Sequence, residues 1–593
     1  PQAVQQNGNH KVTGRVVDPA GEPLIGATIM VEGTKEGTVT DIDGNFTINT
    51  TSKAKLIISY VGYTAQTILV GDKTTIDVTL KEVANTMNEV VVTALGIKRA
   101  EKALSYNVQS VGSNELTRNK DANFVNSLNG KVAGVNISKS ASGVGGATRV
   151  IMRGAKSIEG DNNVLYVIDG IPIFNFSGGR DSGIMGEGRV SSEGIADLNP
   201  EDIESISVLA GPSAAALYGS NAANGAILIT TKKGKEGRVD ISFSSSADFS
   251  SPLLMPEFQN TYGNKLGSYE SWGEKLATPS SYDPKKDFFR TGTNFINALT
   301  LNMGNEFNQT FASVATTNSR GIVPNNTYDR YNFTIRNTTR MFKNKVQLDL
   351  GASYIKQKDN NMVSQGEYWN PIVAAYLFPR GESFEGIKTF ERYDNVRNFP
   401  TQYWPISDSR FANQNPYWTA YRNLAPDDKD RFMFNAGLTY NIFDWLSVAG
   451  RIRLDKTFIT SERKIYASSF NYFAKENGAY DYYDYKDHQT YIDAIANINK
   501  TFGKFSLAAN VGYSYSDYAS LTRGYGGNLV LVPNKFSLNN INPSDSKIRE
   551  AGGDSKVRNV AAFASAELGW RSMVYLTLTG RNDWNSRLVN SSE

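Results

Sequence analysis

The sequence contains no cysteine and only two histidines, His10 and His488, in 593 residues. The absence of cysteine excludes disulfide bonds, thiolate metal ligands and thiol catalysis. A zinc peptidase needs at least three well-placed ligands and normally two histidines among them, so two distant histidines do not provide that site. We therefore expect no metal, no cofactor and no enzymatic activity.

The sequence also lacks a long apolar segment and a strong net charge. It has no run of about eighteen apolar residues, so no transmembrane helix is expected. The net charge is +3, which gives no reason to expect a nucleic-acid partner. No signal peptide is visible at the polar start PQAVQQNGNH, and we interpret this start as a mature, processed N-terminus.

Aromatic residues and glycine are abundant. The chain has 30 tyrosines, 29 phenylalanines and 52 glycines, a composition typical of β-structure with aromatic bands rather than of a helical enzyme. Its length predicts two to four domains. Residues 11–82 contain short strand-like runs separated by turns, a pattern that predicts a compact β-sandwich.

Residues 201–234, EDIESISVLAGPSAAALYGSNAANGAILITTKKG, separate two kinds of sequence pattern. They predict a short strand, a break at Gly211 and Pro212, a helical turn and a buried strand. Before this segment the chain resembles small mixed α/β domains, and after it come long alternating strands. The segment resembles the closing part of the plug domain in SusC/RagA-like TonB-dependent outer-membrane transporters.

This resemblance covers the whole chain and implies four parts. Residues 11–82 resemble the carboxypeptidase-regulatory-like extension of these transporters, and residues 83–101 would be a linker. Residues 102–234 would form the plug, and residues 235–593 the N-terminal half of a transmembrane β-barrel with long extracellular loops. The implied fold class is mainly β: a sandwich, an α/β plug and about half of a 22-stranded antiparallel barrel.

The linker contains the apolar strip NEVVVTA, which comprises Asn88, Glu89, Val90, Val91, Val92, Thr93 and Ala94. With no adjacent run to pair with, such a strip can stay exposed until the sheet edge of another protein captures it. Taken alone, it fits the last strand of the preceding sandwich equally well. It resembles the TonB box, the segment that the energy-coupling protein TonB binds in this family, and its place before the plug favours that interpretation.

Met152-Arg153-Gly154 matches the Arg-Gly motif of the plug in this family. The resemblance implies that Arg153 pairs with barrel carboxylates and locks the plug to the wall. A buried arginine without a partner would be costly, so we expect an ion pair; the alternative is an exposed arginine at a strand end. The Gly-rich segment within residues 161–197 lacks a phosphate-binding pattern, and we interpret it as a plug loop facing the lumen.

Beyond residue 237 apolar and polar residues alternate over segments long enough to cross a membrane as tilted strands. We predict eleven strands, near 238–249, 294–303, 307–318, 328–341, 345–357, 430–441, 445–458, 489–500, 504–516, 556–569 and 572–582. A soluble sandwich would alternate too, but here short turns alternate strictly with long connections, near 250–293, 319–327, 358–429, 459–488 and 517–555. Outer-membrane barrels have this asymmetry. Four aromatic residues beside short turns predict an interfacial girdle: Phe342, Trp445, Phe502 and Trp570.

An odd number of strands cannot close a bacterial single-chain barrel, and transporters of this kind have about twenty-two. We therefore expect this chain to be roughly the N-terminal half of a longer protein. The remaining half of the barrel would then be a separate chain or a continuation beyond this sequence.

The predicted long loops are rich in aromatic residues beside carboxylates and amides. This combination suits sugar stacking, peptide capture, a protein partner or simple packing between loops. The candidate substrate-binding residues are Tyr368, Trp369, Trp404, Trp418, Tyr482 and Tyr483.

The resemblance also implies a function. It implies active import of oligosaccharides, with oligopeptides as the alternative, through the lipid of a bacterial outer membrane. TonB would supply the energy from the periplasm, where the N-terminal extension would lie, and a SusD-like lipoprotein would act as a lid. Dimers of such transporter–lid pairs are common in the family. A surface adhesin that does not transport is the alternative class, and it predicts neither coupling to TonB nor a plugged lumen.

Overall fold

The chain folds into two compact units, Pro1–Val90 with Ala100–Lys102, and Val91–Arg99 with Ala103–Glu593. The computed structural model describes residues 10–19, 21–34, 36–60, 63, 65–80, 90–92, 98–100, 108–158, 162–173, 193–209, 211–408, 414–544, 553–571 and 573–588. Within these ranges, no helix is long and apolar enough to cross a membrane.

The first unit consists of two small sheets packed face to face. Its strands are β1 (His10–Val17), β2 (Thr28–Val31), β3 (Gly37–Val39), β4 (Asn45–Thr50), β5 (Lys55–Ser59), β6 (Gln66–Leu69) and β7 (Val78–Thr79). One sheet has the order β4-β1-β7 and the other β3-β2-β5-β6. Alternate residues point into a shared core that includes Val12, Ile29 and Ile58. Gly14 is required in β1, because a Cβ atom there would lie 1.9 Å from the carbonyl oxygen of Ile76.

The linker contains a two-stranded sheet of β8 (Val90–Val92) and β9 (Lys98–Ala100). The expectation that the strip NEVVVTA has no neighbour to pair with is therefore wrong for its three valines. The hydrogen bonds of β9 occupy only one edge of β8 in the described part of the chain. The other strip residues lie outside that part: Asn88, Glu89, Thr93 and Ala94.

The next segment contains a mixed sheet with two short helices, and we call its residues 108–231 the plug. Its elements are β10 (Val108–Gly112), α1 (Ser113–Thr117), β11 (Val135–Lys139), β12 (Thr148–Met152), β13 (Leu165–Ile168), β14 (Ile171–Pro172), β15 (Ile203–Leu209), α2 (Gly211–Tyr218) and β16 (Ala226–Thr231). The sheet order is β10-β15-β16-β13-β14, and β11 pairs separately with β12. The strand–break–helix–strand prediction for residues 201–234 is confirmed by β15, α2 and β16. The Gly-rich loop predicted to face the lumen falls largely in residues 174–192, which lie outside the described residues.

The rest of the chain is dominated by one large antiparallel sheet. Its elements are β17 (Gly237–Ser250), α3 (Pro284–Asp287), β18 (Gly292–Gly304), β19 (Asn308–Arg320), β20 (Thr327–Met341), β21 (Val346–Asn360), α4 (Pro371–Leu377), α5 (Phe384–Lys388), β22 (Glu391–Asp394), β23 (Phe399–Gln402), α6 (Pro416–Arg422), β24 (Asn423–Leu424), β25 (Pro426–Phe443), β26 (Leu446–Tyr466), β27 (Gly478–Phe502), β28 (Phe505–Asn528), β29 (Gly553–Trp570) and β30 (Val574–Asn585). Strands β17–β21 and β25–β30 pair in chain order, and we call them the wall. They confirm the eleven predicted strands.

The connections of the wall alternate between its two ends as predicted. The turns at one end are short, such as residues 305–307 and 503–504, and we call the opposite end the upper end. All five upper connections are shorter than predicted, most of all residues 467–477 and 529–552, because the strands beside them are longer. The tyrosines placed in the predicted loop 459–488 therefore lie on β27 instead.

The two faces of each wall strand differ in polarity. On β20, Arg330, Asn332 and Thr334 are buried on the face that the plug contacts, whereas Phe333 and Ile335 are exposed on the other face. The outward side chains of other strands are apolar as well and 43–61% exposed: Phe432, Phe434, Leu438, Val511 and Tyr513. We expect this outward face to contact the hydrocarbon of a bilayer.

The aromatic residues predicted for a girdle lie beside the short turns. Phe342, Phe502 and Trp570 are 74%, 47% and 40% exposed. Trp445 is half-buried and stacks on Phe443, with ring centroids 5.4 Å apart. Exposed rings at one depth suit the level of lipid headgroups.

The long upper connections fold against one another. Residues of 251–291 and 361–425 share an apolar core with Tyr282, Phe288, Phe378 and Phe384. The rings of Tyr282 and Phe384 stack with centroids 4.2 Å apart. The upper loops therefore pack together into one cap with its own apolar core, and we call them the cap.

Because the outward face is apolar, a charge introduced there should lower the free energy of unfolding far more than a charge introduced at the neighbouring inward position. We expect Leu438→Arg to destabilise the folded protein by roughly 2–4 kcal/mol in a bilayer. Thr439→Arg, whose side chain points to the inner face of the same strand, serves as the control. Urea unfolding of the full-length protein in lipid vesicles measures both changes. Equal losses for the two variants would contradict the assignment of the faces.

Candidate functional site at the plug–wall interface

Asp197 connects the plug to the wall through two buried cations. It ends the short 3-10 helix Gly194–Asp197 and is fully buried. Its carboxylate accepts hydrogen bonds from Nζ of Lys429 at 2.6 Å and from Nη1 of Arg431 at 2.8 Å. Arg431 also forms a two-pronged ion pair with Asp455 on β26, at 2.9 and 2.6 Å. The four side chains form a continuous buried network.

Asp169 makes the second ionic contact, from the tight turn between β13 and β14. Its backbone has φ +53°, so the turn is left-handed at this residue. Oδ2 accepts from Nη1 of Arg336 on β20 at 3.0 Å and from the hydroxyl of Thr231 at 2.6 Å. The carbonyl oxygens of Asp169 and Ile168 accept from Arg451 and Arg453, at 3.2 and 3.3 Å.

Wall side chains also bind plug carbonyl groups near Asp197. Arg330 donates to the carbonyl oxygens of Ala122 and Ala196, and Asn332 donates to that of Asp197 at 2.6 Å. These donors satisfy backbone groups at the surface of the plug, where an unpaired carbonyl would be costly.

The interface changes the pKa of three plug carboxyl groups in two directions. Burial acts to raise the pKa of Asp197 and of Asp169. At Asp197 the charges of Lys429 and Arg431 outweigh the effect of burial. At Asp169 the charge of Arg336 and the hydrogen bonds from Thr231 outweigh it. Both pKa values therefore lie below the ordinary range. At Asp202 burial prevails over hydrogen bonds from wall hydroxyls, and its pKa is raised.

The direct apolar contact between plug and wall is small. The main core of the plug has only one partly buried wall residue packed against it, Met433, in the described part of the chain. A second cluster joins Ala214 and Tyr218 of α2 to Ile495 and Phe563 of the wall. The plug thus has its own core and meets the wall largely through polar groups.

The plug loop 140–146 meets the upper connections. The backbone N–H of Val363 donates to the carbonyl oxygen of Ser142, and Nε2 of Gln365 donates to its hydroxyl, both at 2.9 Å. A Cβ atom at Gly145, which has φ +76°, would lie 2.1 Å from the ring of Tyr328. Glycine is therefore needed for this close approach.

Beside the plug is a cavity of about 880 Å³, bounded on its other side by β27–β30. Amide and hydroxyl side chains line it from both sides, among them Asn221, Asn224, Gln489, Ser514 and Asn559. In the described ranges no group of three or more metal-ligating side chains could hold a metal ion.

Comparisons with known proteins identify these parts. The family model of the CarboxypepD_reg-like domain matches residues 12–92, and the family model of the TonB-dependent receptor plug domain matches residues 100–226. TonB-dependent receptor SusC of Bacteroides thetaiotaomicron is 32% identical over 417 residues, which cover 69% of this chain and 39% of SusC. The chain belongs to the SusC/RagA-like TonB-dependent receptors.

Other relatives agree with this assignment. TonB-dependent receptor P3 of Formosa agariphila is 25% identical across 97% of this chain and 54% of its own length. The RagAB peptide importer in its open-open state has a similar fold, with a TM-score of 0.68, 19% identity, and coverage of 84% of this chain and 56% of that chain. The chain spans between two fifths and somewhat over half of these relatives.

Within the described residues of this receptor, Arg153 has no wall carboxylate as a partner, and its role as a lock stays a prediction. Arg153 is exposed at the end of β12 with φ +55°, and it forms no ion pair there. It avoids the cost of burial because its side chain remains in water. The observed ion pairs have the opposite polarity, since the plug supplies the carboxylates and the wall supplies the cations.

The six candidate substrate residues do not form one site. Trp369 and Trp418 are 2% and 1% exposed, and Trp418 donates its indole N–H to Ser469. These two tryptophans pack the cap and present no free face to a ligand, so their assignment to substrate is wrong. Trp404 donates to the hydroxyl of Tyr269 at 3.1 Å, and Tyr368 packs with Phe473.

Tyr482 and Tyr483 remain half-buried near the upper end of β27. Tyr482 stacks on Tyr525 with centroids 5.3 Å apart, and Tyr483 packs with Tyr485. Their role in binding stays a prediction, as does the role of residues 88–94 in binding TonB.

The sequence analysis missed the charged residues that form the interface. A signal for them was present, because Arg451, Arg453 and Asp455 occupy every second position of a strand whose alternate positions are apolar. Charges in that pattern point to the inner face, where only another polar surface can pair with them.

Removing the carboxylate of Asp197 should loosen the plug much more than removing an exposed carboxylate. In Asp197→Asn, Lys429 and Arg431 would keep buried charge with less compensation, and loss of one partner of a buried pair costs about 3–5 kcal/mol. Glu385→Gln is the control, because Glu385 is 79% exposed and pairs with Lys388 at 2.6 Å, a surface contact worth about 0–1 kcal/mol. Hydrogen exchange of residues 193–209 in the full-length receptor measures the difference; equal protection in both variants would contradict it.

Plug docking should also depend on pH in a defined direction. The pKa values of Asp169 and Asp197 are lowered in the folded protein, so their stabilisation is complete above the unfolded value of about 3.9 and is lost as the pH falls through the lowered values. We expect protection of the plug to persist from neutral pH to about pH 4 and to decrease below it. In Asp169→Asn with Asp197→Asn this acid transition should be smaller. A transition of unchanged size would contradict the assignment.

Proposed function

We propose that the complete protein is an active importer of nutrient oligomers in the bacterial outer membrane, powered by TonB. The observation that carries this proposal is a separately folded plug held against the inner face of the wall mainly by a small set of ion pairs and hydrogen bonds. Such polar contacts can be exchanged for water when the plug moves, and the apolar contact of α2 with Ile495 and Phe563 adds only a small area to them.

Residues 88–94 are the proposed attachment point for TonB. Val90–Val92 already form a strand, and a strand with a free edge can accept another strand by main-chain hydrogen bonding. A pull transmitted to the adjacent plug would act on the contacts of Asp169 and Asp197. The N-terminal unit would lie in the periplasm with this strip.

The upper loops fit a lipoprotein lid of the SusD type. Their described surface carries apolar side chains in water, such as Leu254, Leu266 and Trp272, which are 79–95% exposed. Exposed apolar groups on an otherwise packed cap are typical of a surface that a partner covers. A dimer of two transporter–lid pairs would use the same arrangement twice.

The proposed cargo is an oligosaccharide, and an oligopeptide is the alternative. The cavity beside the plug supports a ligand with many hydrogen-bonding groups, because amides and hydroxyls line both of its sides. RagAB, a peptide importer of similar fold, keeps the alternative open.

Deletion of residues 88–94 tests the proposal in a strain that expresses the full-length protein. We expect the deletion to abolish uptake of labelled oligosaccharides while the amount of protein in the outer membrane stays unchanged. Deletion of residues 81–87, which shortens the same linker equally, is the matched control and should retain uptake.

Parallel uptake of an oligopeptide pool decides the cargo class. Loss of peptide uptake alone would assign peptides. If uptake of both pools were independent of residues 88–94, the import proposal would be overturned and a surface adhesin would be favoured.

A further inference from the structure

The cavity between the plug and β27–β30 has an excess of positive charge. Four cationic residues line it, Lys139 and Arg149 from the plug and Arg581 and Arg587 from the wall. Lys139 pairs with Asp121 at 2.7 Å, and Arg581 pairs with Asp583 at 2.8 Å. Arg149 and Arg587 form no ion pair with any residue in the described part of the chain, and both side chains are exposed.

Carboxylates do not balance these charges on the cavity surface. Of the described lining residues, Glu193 is the one acid, and it is 3% exposed. Its Oε1 atom accepts from the backbone N–H of Thr148 and from Nδ2 of Asn123, both at 3.0 Å. Glu193 therefore holds the plug together and is already engaged. Among the described residues, a ligand in the cavity would therefore meet Arg149 and Arg587 without a carboxylate paired to them, whereas Asp121 and Asp583 already pair with Lys139 and Arg581.

The remaining lining favours a ligand rich in hydroxyl groups over an apolar one. Amide and hydroxyl side chains come from the plug (Ser138 and Ser220), from the wall (Ser516) and from an upper connection (Gln365). The tyrosines that line the cavity, Tyr166, Tyr218, Tyr491 and Tyr518, are at most 8% exposed, so they offer no ring surface for large apolar side chains. Recognition there depends on hydrogen bonds and charge.

We propose that this cavity binds acidic oligosaccharides, with Arg149 and Arg587 holding carboxylate or sulfate groups of the sugar chain. This inference rests on the proposed import function, whose cargo class it narrows. Arg149 lies on the plug and Arg587 follows the last wall strand, so one anionic oligomer would contact both parts. Guanidinium groups suit this task because they bind carboxylate and sulfate oxygens in pairs.

A matched pair of ligands tests the charge requirement directly. The full-length protein is titrated calorimetrically with a mixed pool of uronic-acid oligosaccharides and with the same pool after carboxyl reduction, which keeps chain length and linkage but removes the charge. We expect the acidic pool to bind at least tenfold more tightly and more weakly as salt rises. Sulfated oligosaccharides and their desulfated products distinguish the two anionic groups. Equal binding of the acidic and neutral pools in both pairs, or no binding, would overturn the proposal.

Substitutions locate the binding. Arg149→Gln with Arg587→Gln should weaken binding of the acidic pool roughly tenfold or more, because each lost guanidinium removes a charge-assisted hydrogen bond. Arg118→Gln is the control, since Arg118 is an exposed plug cation outside the cavity lining. An unchanged affinity in the double variant would overturn the assignment of the site. Tighter binding of oligoglutamate than of the acidic sugars would overturn the sugar assignment.

These outcomes separate this inference from the import proposal. Uptake of neutral oligomers that requires residues 88–94 would leave import standing and overturn the acidic cargo. Charge-dependent binding without any uptake that requires residues 88–94 would support the acidic ligand and overturn import.

Discussion

The structure depends on the buried contact between Asp197 of the plug and Lys429 and Arg431 of the wall. Removing such charges from water is costly, and their mutual attraction offsets that cost only while all partners are in place. The contact therefore adds little net affinity compared with an apolar interface, but it defines one position of the plug. When the plug is displaced, water can solvate the same charges again. An interface of this kind is specific and reversible, as the proposed import function would require of a plug that moves.

The polarity of this interface shows what a motif can and cannot predict. The family pattern correctly indicated a plug, and physical reasoning correctly required that buried charge be paired. The pattern could not reveal that Arg153 would end a strand in a left-handed conformation and remain in water. The pairing depends on inward positions of β25 and β26, and on β26 the charged residues Arg451, Arg453 and Asp455 are separated by the apolar residues Ile452 and Leu454. Alternation on β26 was therefore a signal for charges on the inner face, although the sequence analysis did not use it.

The strands were predictable where one face is apolar, and their upper ends were not. Alternation identifies a strand because lipid and lumen impose opposite polarity on its two faces. Above the apolar band both faces are polar, so the segment DYYDYKD at residues 481–487 has the composition of a loop although it continues β27. The packing between the loops of the cap could not be predicted from the sequence either. A tryptophan in a loop, such as Trp418, suggests a ring that stacks on a sugar. Only its burial against the neighbouring loops shows that it stabilises the cap instead.

The plug connects events at the two ends of the molecule through contacts that it makes simultaneously. Its residues form one side of the polar cavity, and its loop at Ser142 bonds to Val363 and Gln365 at the start of the long upper connection. A displacement that moves Asp197 away from Arg431 and carries the rest of the plug with it also removes that side of the cavity and breaks the bonds of Ser142. If the protein imports oligomers as proposed, release of a bound oligomer and loosening of the cap would both follow from that one movement. No separate signal from the linker to the upper loops would then be required, because a plug with its own core could move as a folded body.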